Sequence, residues 1–233
     1  RDEKLTLSNA VKTEIADRKF LTFINVPHNQ YALGVKKIMD IFGSLLGIIV
    51  LSPILVVMSV LIKMSSPGPV IFKQPRVGLR GRQFQLLKFR TMVIDAESLG
   101  GPTTGTNDKR VTPIGAFLRK TKLDELPQFI NVLTGDMSLV GPRPEALEYT
   151  GTYTGEEKII LAMRPGITDY SSIEFADLDD LVGDKDPDKY FCEHIMPKKT
   201  ALRIKYVKEW SLWSDFRILW MTFFRVIKRI AVR

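Results

Sequence analysis

The chain has 233 residues, which is enough for one sizeable domain with appendages. Hydrophobic residues make up 45% and charged residues 26%, a balance that excludes a disordered chain. The net charge of +8 implies an acidic partner, whether a nucleic acid, an anionic lipid or a phosphorylated substrate. The single cysteine, Cys192, excludes an internal disulfide and a multi-cysteine metal cluster.

Residues 1–34 are mixed and polar without a sustained period, so we predict an N-terminal extension or linker. Because the chain opens with Arg1 rather than Met, we expect it to be a piece of a longer protein.

An uncharged segment covers residues 41–62 and is about as long as a bilayer span. Ser52-Pro53 lies in its middle, where proline removes a backbone donor and clashes with the preceding turn. Basic residues flank both ends, and positive charge marks the cytoplasmic side of a membrane. An ordinary transmembrane helix is one interpretation. We favour a re-entrant membrane helix over residues 35–66, broken at Ser52 and Pro53, whose ends lie on one face of the membrane. Three charged residues before the segment are expected at the membrane interface: Lys36, Lys37 and Asp40.

The next elements are short. Strand-like runs at residues 70–72 and 84–86 flank a glycine-rich loop with basic residues, which predicts a small β-hairpin. Residues 98–109 are rich in Gly, Thr and Asn and are predicted to be a loop. Thr112-Pro113 is typical of a helix start. A second helix should begin near Leu126 and end at Gly135.

The last third of the chain is predicted to contain rigid turns at residues 137–145 and 164–168 and an acidic loop at residues 175–188. From Lys198 onward aromatic residues recur every three to four positions, with Arg and Lys between them. Such a pattern is typical of an amphipathic helix in the membrane interface, and a core-facing helix is the alternative.

Asp124 and Glu125 are adjacent and directly precede the second helix. Free backbone N–H groups at a helix start attract phosphate and favour an ionised carboxylate, although helix capping explains most isolated Asp-Glu pairs. Arg119 and Arg143 strengthen the functional interpretation, because arginine forks match phosphate oxygens in pairs. Carboxylates can also hold Mg²⁺, which commonly bridges phosphate oxygens. This set of residues beside a membrane element is suited to handling a diphosphate.

Five motifs follow one another along the chain: KKIMD at 36–40, Ser52-Pro53, SPGPVIFKQPRVGLRGRQFQLLKFRTM at 66–92, RKTKLDELPQFINVLTGDMSLVGPRP at 119–144 and RPGIT at 164–168. In this order they resemble the bacterial sugar transferases, the monotopic polyprenol-phosphate phosphoglycosyl transferases. The resemblance covers residues 35–228, most of the chain.

The resemblance implies transfer of a sugar 1-phosphate from a UDP-sugar to polyprenyl (undecaprenyl) phosphate, the first membrane step of polysaccharide or glycoconjugate assembly. Asp124 corresponds to the nucleophile, which would expel UMP and hold the sugar phosphate as an acyl phosphate. Glu125 would be the second member of the pair, binding Mg²⁺ or managing protons, and both carboxylates are candidate metal ligands. Four basic residues are expected to bind substrate phosphate, the first two without an individual role: Lys88, Arg90, Arg119 and Arg143.

The chain departs from the family pattern after RPGIT. Similar proteins often continue with Gly and an aromatic residue, whereas this chain has Asp169-Tyr170 followed by Ser171-Ser172. We expect this difference and the acidic region after it to shape the choice of sugar or nucleotide.

We therefore expect an α+β fold, mostly helical, with a re-entrant membrane helix-break-helix, a small β-hairpin and amphipathic interfacial helices. Residues 67–196 should form a cytoplasmic catalytic domain, and residues 197–233 its interfacial helices. The expected location is the cytoplasmic face of the bacterial inner membrane, and the expected partners are a UDP-sugar, polyprenyl phosphate and the membrane. The sequence leaves the oligomeric state open, a homodimer included.

Two other functions compete with this one. A non-catalytic lipid-binding scaffold of a polysaccharide assembly complex would use the basic surface and the Trp-rich helix, but it has no need of Asp124 and Glu125 beside arginines. Nucleic-acid binding is suggested only by the basic charge. The uncharged segment and the lack of a nucleic-acid motif argue against it.

Overall fold

A computed structural model describes residues 29–99, 108–176 and 187–232. Most of the predicted extension, the core of the loop at 98–109 and most of the acidic loop at 175–188 lie outside the described residues. The helices are α1 Gln30–Ser65, α2 Pro113–Thr121, α3 Gln128–Leu133, α4 Leu147–Thr150, α5 Tyr170–Glu174, α6 Pro187–Tyr190, α7 Met196–Lys208 and α8 Leu212–Val232. The strands are β1 Ile71–Val77, β2 Gln83–Phe89, β3 Ser138–Val140 and β4 Gly166–Thr168. The predicted mostly helical composition is confirmed.

Helix α1 is long and apolar enough to cross a membrane by length and composition. It runs continuously through Ser52-Pro53, so the predicted break into two helices is not confirmed. Pro53 has no N–H to donate to the carbonyl of Ile49, one turn earlier. The hydroxyl of Ser52 donates to that carbonyl instead (2.8 Å). The helix therefore keeps this backbone group satisfied despite its proline.

Strands β1 and β2 form the predicted antiparallel hairpin, with Ile71 opposite Phe89 and Val77 opposite Gln83. Both strands are longer than predicted. The side chain of Asn131 on α3 covers the second edge of β2, donating to the carbonyl of Gln85 (2.8 Å) and accepting from the N–H of Leu87 (2.9 Å). This amide takes the place of a third strand and fixes α3 on the hairpin.

Strands β3 and β4 pair in parallel, with Ser138 opposite Gly166 and Val140 opposite Thr168. They fall within segments predicted to be rigid turns, so that part of the prediction is wrong. The two segments cross at a glycine contact, since a Cβ atom on Gly166 would lie 2.0 Å from the backbone nitrogen of Gly141. A side chain here would force the segments apart, which explains why both motifs carry glycine.

Charged residues near the start of α1 anchor it to the rest of the fold. Lys36 donates to the carbonyl of Val140 (2.8 Å) and pairs with Asp215 on α8 (2.6 Å). Asp40 accepts from a backbone N–H of β3 (2.9 Å). Lys37 is exposed, whereas Lys36 and Asp40 are buried against the domain, where each has a partner. Their place at the membrane interface stays a prediction.

Helix α8 has a strongly two-sided character. Ile218 is fully buried and packs with Tyr206, Val207 and Trp210 in a core cluster. The opposite side exposes Trp213, Phe216, Trp220, Phe223, Phe224 and Ile227. The predicted periodic aromatic pattern thus contains both core residues and a large exposed apolar row.

Candidate active site

Asp124 and Glu125 lie in a single 3₁₀ turn, Leu123–Glu125, that joins α2 to α3. Lys122 ends α2 in the left-handed conformation, with φ 60°, and so turns the chain sharply ahead of Asp124. The helix after the pair begins at Gln128, two residues later than predicted. The N–H groups of Glu125 and Leu126 donate within the turn (3.3 Å each) and are not free for phosphate, in contrast to the sequence expectation.

Helix α2 starts as predicted, with the Thr112 hydroxyl accepting from the N–H of Gly115 (3.0 Å). Gly115 brings the helix unusually close to the chain after β2, because a Cβ atom there would lie 1.9 Å from the carbonyl oxygen of Thr91. One turn farther, Arg119 donates its Nε hydrogen to the Thr91 hydroxyl (3.0 Å). The helix thus holds Arg119 beside the 3₁₀ turn.

Arg143 is fixed from three directions. Its guanidinium pairs with Glu125 and also donates to the carbonyl of Ile167 (2.8 Å). Its backbone N–H donates to Asp169 (3.0 Å). Burial opposes the ionisation of Glu125, but the Arg143 charge and hydrogen bond, aided by Lys122, lower the pKa of Glu125 to about 2. Glu125 is therefore ionised at neutral pH.

Asp124 directly precedes Glu125 in the chain, but its pKa is shifted in the opposite direction. Its carboxyl is buried, and its Oδ1 atom has no hydrogen-bond partner within the described residues. Burial and the charge of Glu125 raise the pKa of Asp124 to about 6, against the opposing charges of Lys88 and others. Two adjacent carboxyls with separated pKa values and one unpartnered oxygen are typical of an acid–base or nucleophilic site.

Lys88 on β2 completes the cationic side of the site. Burial lowers the pKa of Lys88 to about 8, although Glu125 and Asp124 favour its charged form. Its ammonium makes no hydrogen bond or ion pair of 4 Å or less with the described part of the chain. A substrate phosphate could therefore take all of its donors.

Arg90 occupies a different place from the other predicted phosphate ligands. Its guanidinium donates to the carbonyls of Pro67 (2.7 Å) and Ser66 (2.8 Å), joining the end of α1 to the hairpin. These bonds give Arg90 a structural task, while its assignment to phosphate binding stays a prediction. The structure thus brings Lys88, Arg119 and Arg143 to the carboxylate pair.

This sequence is similar to those of known proteins. The model of the family described as bacterial sugar transferase matches residues 31–229. This chain belongs to the bacterial sugar transferase family. The UDP-glucose:undecaprenyl-phosphate glucose-1-phosphate transferase of Escherichia coli (strain K12) is 39% identical over 194 residues, which are 82% of this chain and 40% of the relative.

Two further relatives show how much of each protein is shared. The UDP-N-acetylgalactosamine-undecaprenyl-phosphate N-acetylgalactosaminephosphotransferase of Aeromonas hydrophila is 35% identical over 98% of this chain and 51% of its own length. The putative undecaprenyl-phosphate N-acetylgalactosaminyl 1-phosphate transferase of Bacillus subtilis (strain 168) is 48% identical over 53% of this chain and 69% of its own length. The chain thus spans about half or less of the first two relatives.

In this bacterial sugar transferase, the sequence did not reveal the carboxylate two residues after Arg143. Glu145 is buried and pairs with Arg203, with Lys199 at 3.7 Å and Arg76 at 4.0 Å. Burial opposes its ionisation, but these three cations lower the pKa of Glu145 to about 2. The Pro-Arg-Pro-Glu run could have drawn attention to Glu145, whereas Arg203 carries no local signal.

Asp169 was recognised only as a departure from the family pattern. Besides holding the backbone of Arg143, it caps α5 by accepting from the N–H of Ser172 (2.6 Å). Its Oδ2 atom also lies 3.7 Å from Nε of Arg203. Asp169 therefore links Arg143 to the buried charges around Glu145.

Proposed function

We propose that this chain catalyses transfer of a sugar 1-phosphate from a UDP-sugar to undecaprenyl phosphate, with release of UMP. The names of the E. coli and A. hydrophila relatives support a nucleotide sugar as donor and undecaprenyl phosphate as acceptor. The observation that carries the proposal is a buried oxygen of Asp124 beside an ionised Glu125 and the ammonium of Lys88. Neither that oxygen nor the ammonium has a hydrogen-bond partner among the described residues. A scaffold has no use for such an arrangement.

The reaction would proceed in two displacements at one phosphorus atom. The carboxylate of Asp124 attacks the sugar-bearing phosphorus, the bond from that phosphorus to the bridging oxygen breaks, and UMP leaves with the electron pair. The phosphate oxygen of the polyprenyl phosphate then attacks the acyl phosphate and returns Asp124 to its carboxylate form. Lys88, Arg119 and Arg143 would bind the phosphate oxygens during both displacements.

The carboxylates of Asp124 and Glu125 are suited to binding Mg²⁺ together with the phosphates of the donor. Mg²⁺ is usually held by one or two carboxylates together with substrate phosphates and water. The unpartnered Oδ1 of Asp124 and the neighbouring carboxyl of Glu125 match this demand. Within the described residues no group of three or more His, Cys, Asp or Glu could hold a metal by itself, which suits an ion shared with substrate. When bound, Mg²⁺ would neutralise phosphate charge.

We also propose that α1 enters and leaves the membrane on the cytoplasmic face. A Cβ atom at Gly47 would touch Phe129 on α3 at 3.1 Å, and Ile62 is buried with Leu118 on α2. Only residues 48–61 lie between these contacts. A span needs about 20 residues. A bilayer therefore cannot lie between the two contacts unless the domain itself enters it, which favours a re-entrant arrangement. The exposed apolar row of α8 would rest in the same interface.

The transfer reaction is tested by UMP release. Detergent-purified protein would be mixed with Mg²⁺, undecaprenyl phosphate and a panel of UDP-sugars. We expect UMP with at least one donor, loss of UMP release in Asp124→Asn, and no change in Asp136→Asn, an exposed carboxyl of the same type. Silence from folded protein across a broad panel would favour the scaffold instead.

The membrane arrangement is tested by labelling. Tyr31 and Met64 flank the apolar segment, and each is 79% exposed. Single cysteines at these positions, in a Cys192→Ser background because Cys192 is exposed, should react with an impermeant reagent from the cytoplasmic side only. Labelling of the two positions from opposite sides would refute the re-entrant arrangement.

A further inference from the structure

Asp124 lies on the buried face of a continuous helical segment. The 3₁₀ turn that contains it runs into α3 without a break, because Leu126 and Pro127 also have right-handed helical dihedral angles. The buried polar residues of this segment are Asp124, Gln128 and Asn131, which follow one another at intervals of four and three residues. Residues at these intervals are neighbours on one side of a helix. Gln128 therefore lies one turn beyond Asp124, and Asn131 one turn beyond Gln128.

The two buried amides on this face differ in their hydrogen bonds. The side chain of Asn131 is bound at both ends, since it donates to the carbonyl of Gln85 and accepts from the N–H of Leu87 on β2. Gln128 is only 1% exposed, and its Nε2 atom has no hydrogen-bond partner within the described residues. A buried amide donor without a partner is unfavourable for folding. The packing of α3 on the hairpin therefore explains Asn131 but does not explain Gln128.

The amide that lacks an acceptor is next to a carboxyl that lacks a donor. Oδ1 of Asp124 is also buried without a partner in the described part of the chain, so the two groups are not bonded to each other. Lys88, which follows the β2 residue held by Asn131, acts by its charge on Asp124 and Glu125. Gln128 thus lies between the point that fixes α3 to β2 and the carboxylate pair. A group that forms on Asp124 would bring acceptor oxygens within one turn of this amide.

The chemistry of the proposed reaction supplies such a group. When an oxygen of Asp124 bonds to the sugar-bearing phosphorus, the bond from phosphorus to the bridging oxygen breaks and UMP leaves with its electron pair. The acyl phosphate that results carries non-bridging phosphoryl oxygens and a carbonyl oxygen, all of them acceptors. A carboxamide can donate to these oxygens without gaining or losing a proton, so the proton balance of both displacements is unchanged.

We propose that the carboxamide of Gln128 donates a hydrogen bond to the acyl phosphate formed on Asp124, which makes Gln128 a further catalytic residue. The proposal rests on the proposed function, because the acyl phosphate is the intermediate of that reaction. A fixed donor aimed at the oxygens of the reacting group stabilises the transition state that leads to it.

The first test is stability. Gln128→Met keeps the approximate shape of the side chain and removes an amide whose donor has no partner in the described fold, so it should raise the melting temperature by about 2–4 °C. Asn131→Leu is the matched change on the same face. It should lower the melting temperature, because it leaves the carbonyl of Gln85 and the N–H of Leu87 unpaired. A lower melting temperature in Gln128→Met would overturn the proposal, since it would show that the fold itself uses the amide.

The second test uses beryllium trifluoride, which binds an aspartate carboxylate in the shape of an acyl phosphate and needs no sugar donor. It would be titrated into the detergent-purified chain with Mg²⁺ and followed by fluorine NMR. We expect a complex with the unaltered chain, none with Asp124→Asn, and about tenfold weaker binding in Gln128→Met. Gln83→Met makes the same chemical change at an exposed position of β2 and should bind as the unaltered chain does.

Catalysis gives the third readout. UMP release in a single turnover without acceptor lipid should fall about 100-fold in Gln128→Met, the loss expected for one donor to the reacting oxygens. A fall of less than about tenfold would overturn the proposal.

The binding and rate measurements separate this proposal from the proposed function. Equal affinity of the unaltered chain and Gln128→Met for beryllium trifluoride, or no complex with the unaltered chain, would overturn the role of Gln128. If the unaltered chain still released UMP, the reaction itself would stand. Weaker binding in Gln128→Met without UMP release from any UDP-sugar would do the reverse.

Discussion

Asp124 and Glu125 should affect stability in opposite directions although they are neighbours. The pKa of Asp124 is raised in the folded protein to about 6 from an ordinary 3.8, and that of Glu125 is lowered to about 2 from 4.5. Folding therefore penalises the ionised form of Asp124 and favours the ionised form of Glu125. The substitutions Asp124→Asn and Glu125→Gln each remove one of these charges. They test whether the free energy of unfolding changes in opposite directions at two neighbouring residues.

The size of each effect follows from the shift in pKa. A shift of one unit corresponds to about 1.4 kcal/mol, so each effect is on the order of a few kcal/mol. The two effects are not independent, because the charge of Glu125 contributes to the raised pKa of Asp124. For Asp124 the penalty is absent below the unfolded pKa near 3.8 and is complete once pH has risen through about 6. For Glu125 the gain is complete above about 4.5 and is lost as pH falls towards 2. At pH 8, Asp124→Asn should thus stabilise the protein and Glu125→Gln should destabilise it.

The assay is thermal unfolding in detergent between pH 4.5 and pH 8, with both variants beside the unaltered chain. The stability advantage of Asp124→Asn should grow as pH rises through about 6. Asp136→Asn, at an exposed carboxyl, should show no such trend. Two outcomes would refute the raised pKa of Asp124. One is an Asp124→Asn variant that is less stable than the unaltered chain at pH 8, and the other is a stability difference that does not vary with pH.

Three further results are expected. UMP release in a single turnover without acceptor lipid should fall as pH drops through about 6, because Asp124 must be ionised to attack; a flat profile down to pH 4.5 would contradict its role as nucleophile. Gly115→Ala should lower thermal stability by about 2 kcal/mol or more, since its Cβ would lie 1.9 Å from the Thr91 carbonyl, whereas Gly34→Ala, with nothing within 4 Å, should not. Lys36→Met should cost about 3 kcal/mol, measured by denaturation, because the buried Asp215 would lose its cation and keep only the hydrogen bonds from Tyr206 and Trp210. An unchanged midpoint would show that the ion pair does not contribute to stability.

The elements that the sequence predicted well are those with local signals. The Thr112-Pro113 helix start, the hairpin and the C-terminal helices all depend on residues within one or two turns of each other. The carboxylate pair was also found locally, because two acids beside a helix start are visible in a short window. The raised pKa of Asp124 and the lowered pKa of Glu125 were not, since the first depends on burial in the fold and the second on the charge of Arg143 from another part of the chain.

What the sequence missed depends on contacts between distant segments. Glu145 and Arg203 are 58 residues apart, and neither sits in a periodic pattern that predicts a buried ion pair. The parallel pairing of β3 and β4 joins two proline-containing segments that individually look like turns. Arg90 could not be separated from the other basic residues of its motif, because its carbonyl partners at residues 66 and 67 are fixed only by the folded hairpin.

The contacts that anchor α1 to the domain also bear on where the proposed active site lies. Lys36 and Asp40 bind β3 directly, and β3 leads within three residues to Arg143, which holds Glu125. With α1 in the membrane as proposed, its depth would therefore set the height of the carboxylate pair above the lipid. A lipid-linked acceptor can present its phosphate only near the headgroup level, while a nucleotide sugar arrives from water. Rigid contacts between the membrane helix and the site are what would let one carboxylate, Asp124, meet both substrates in turn.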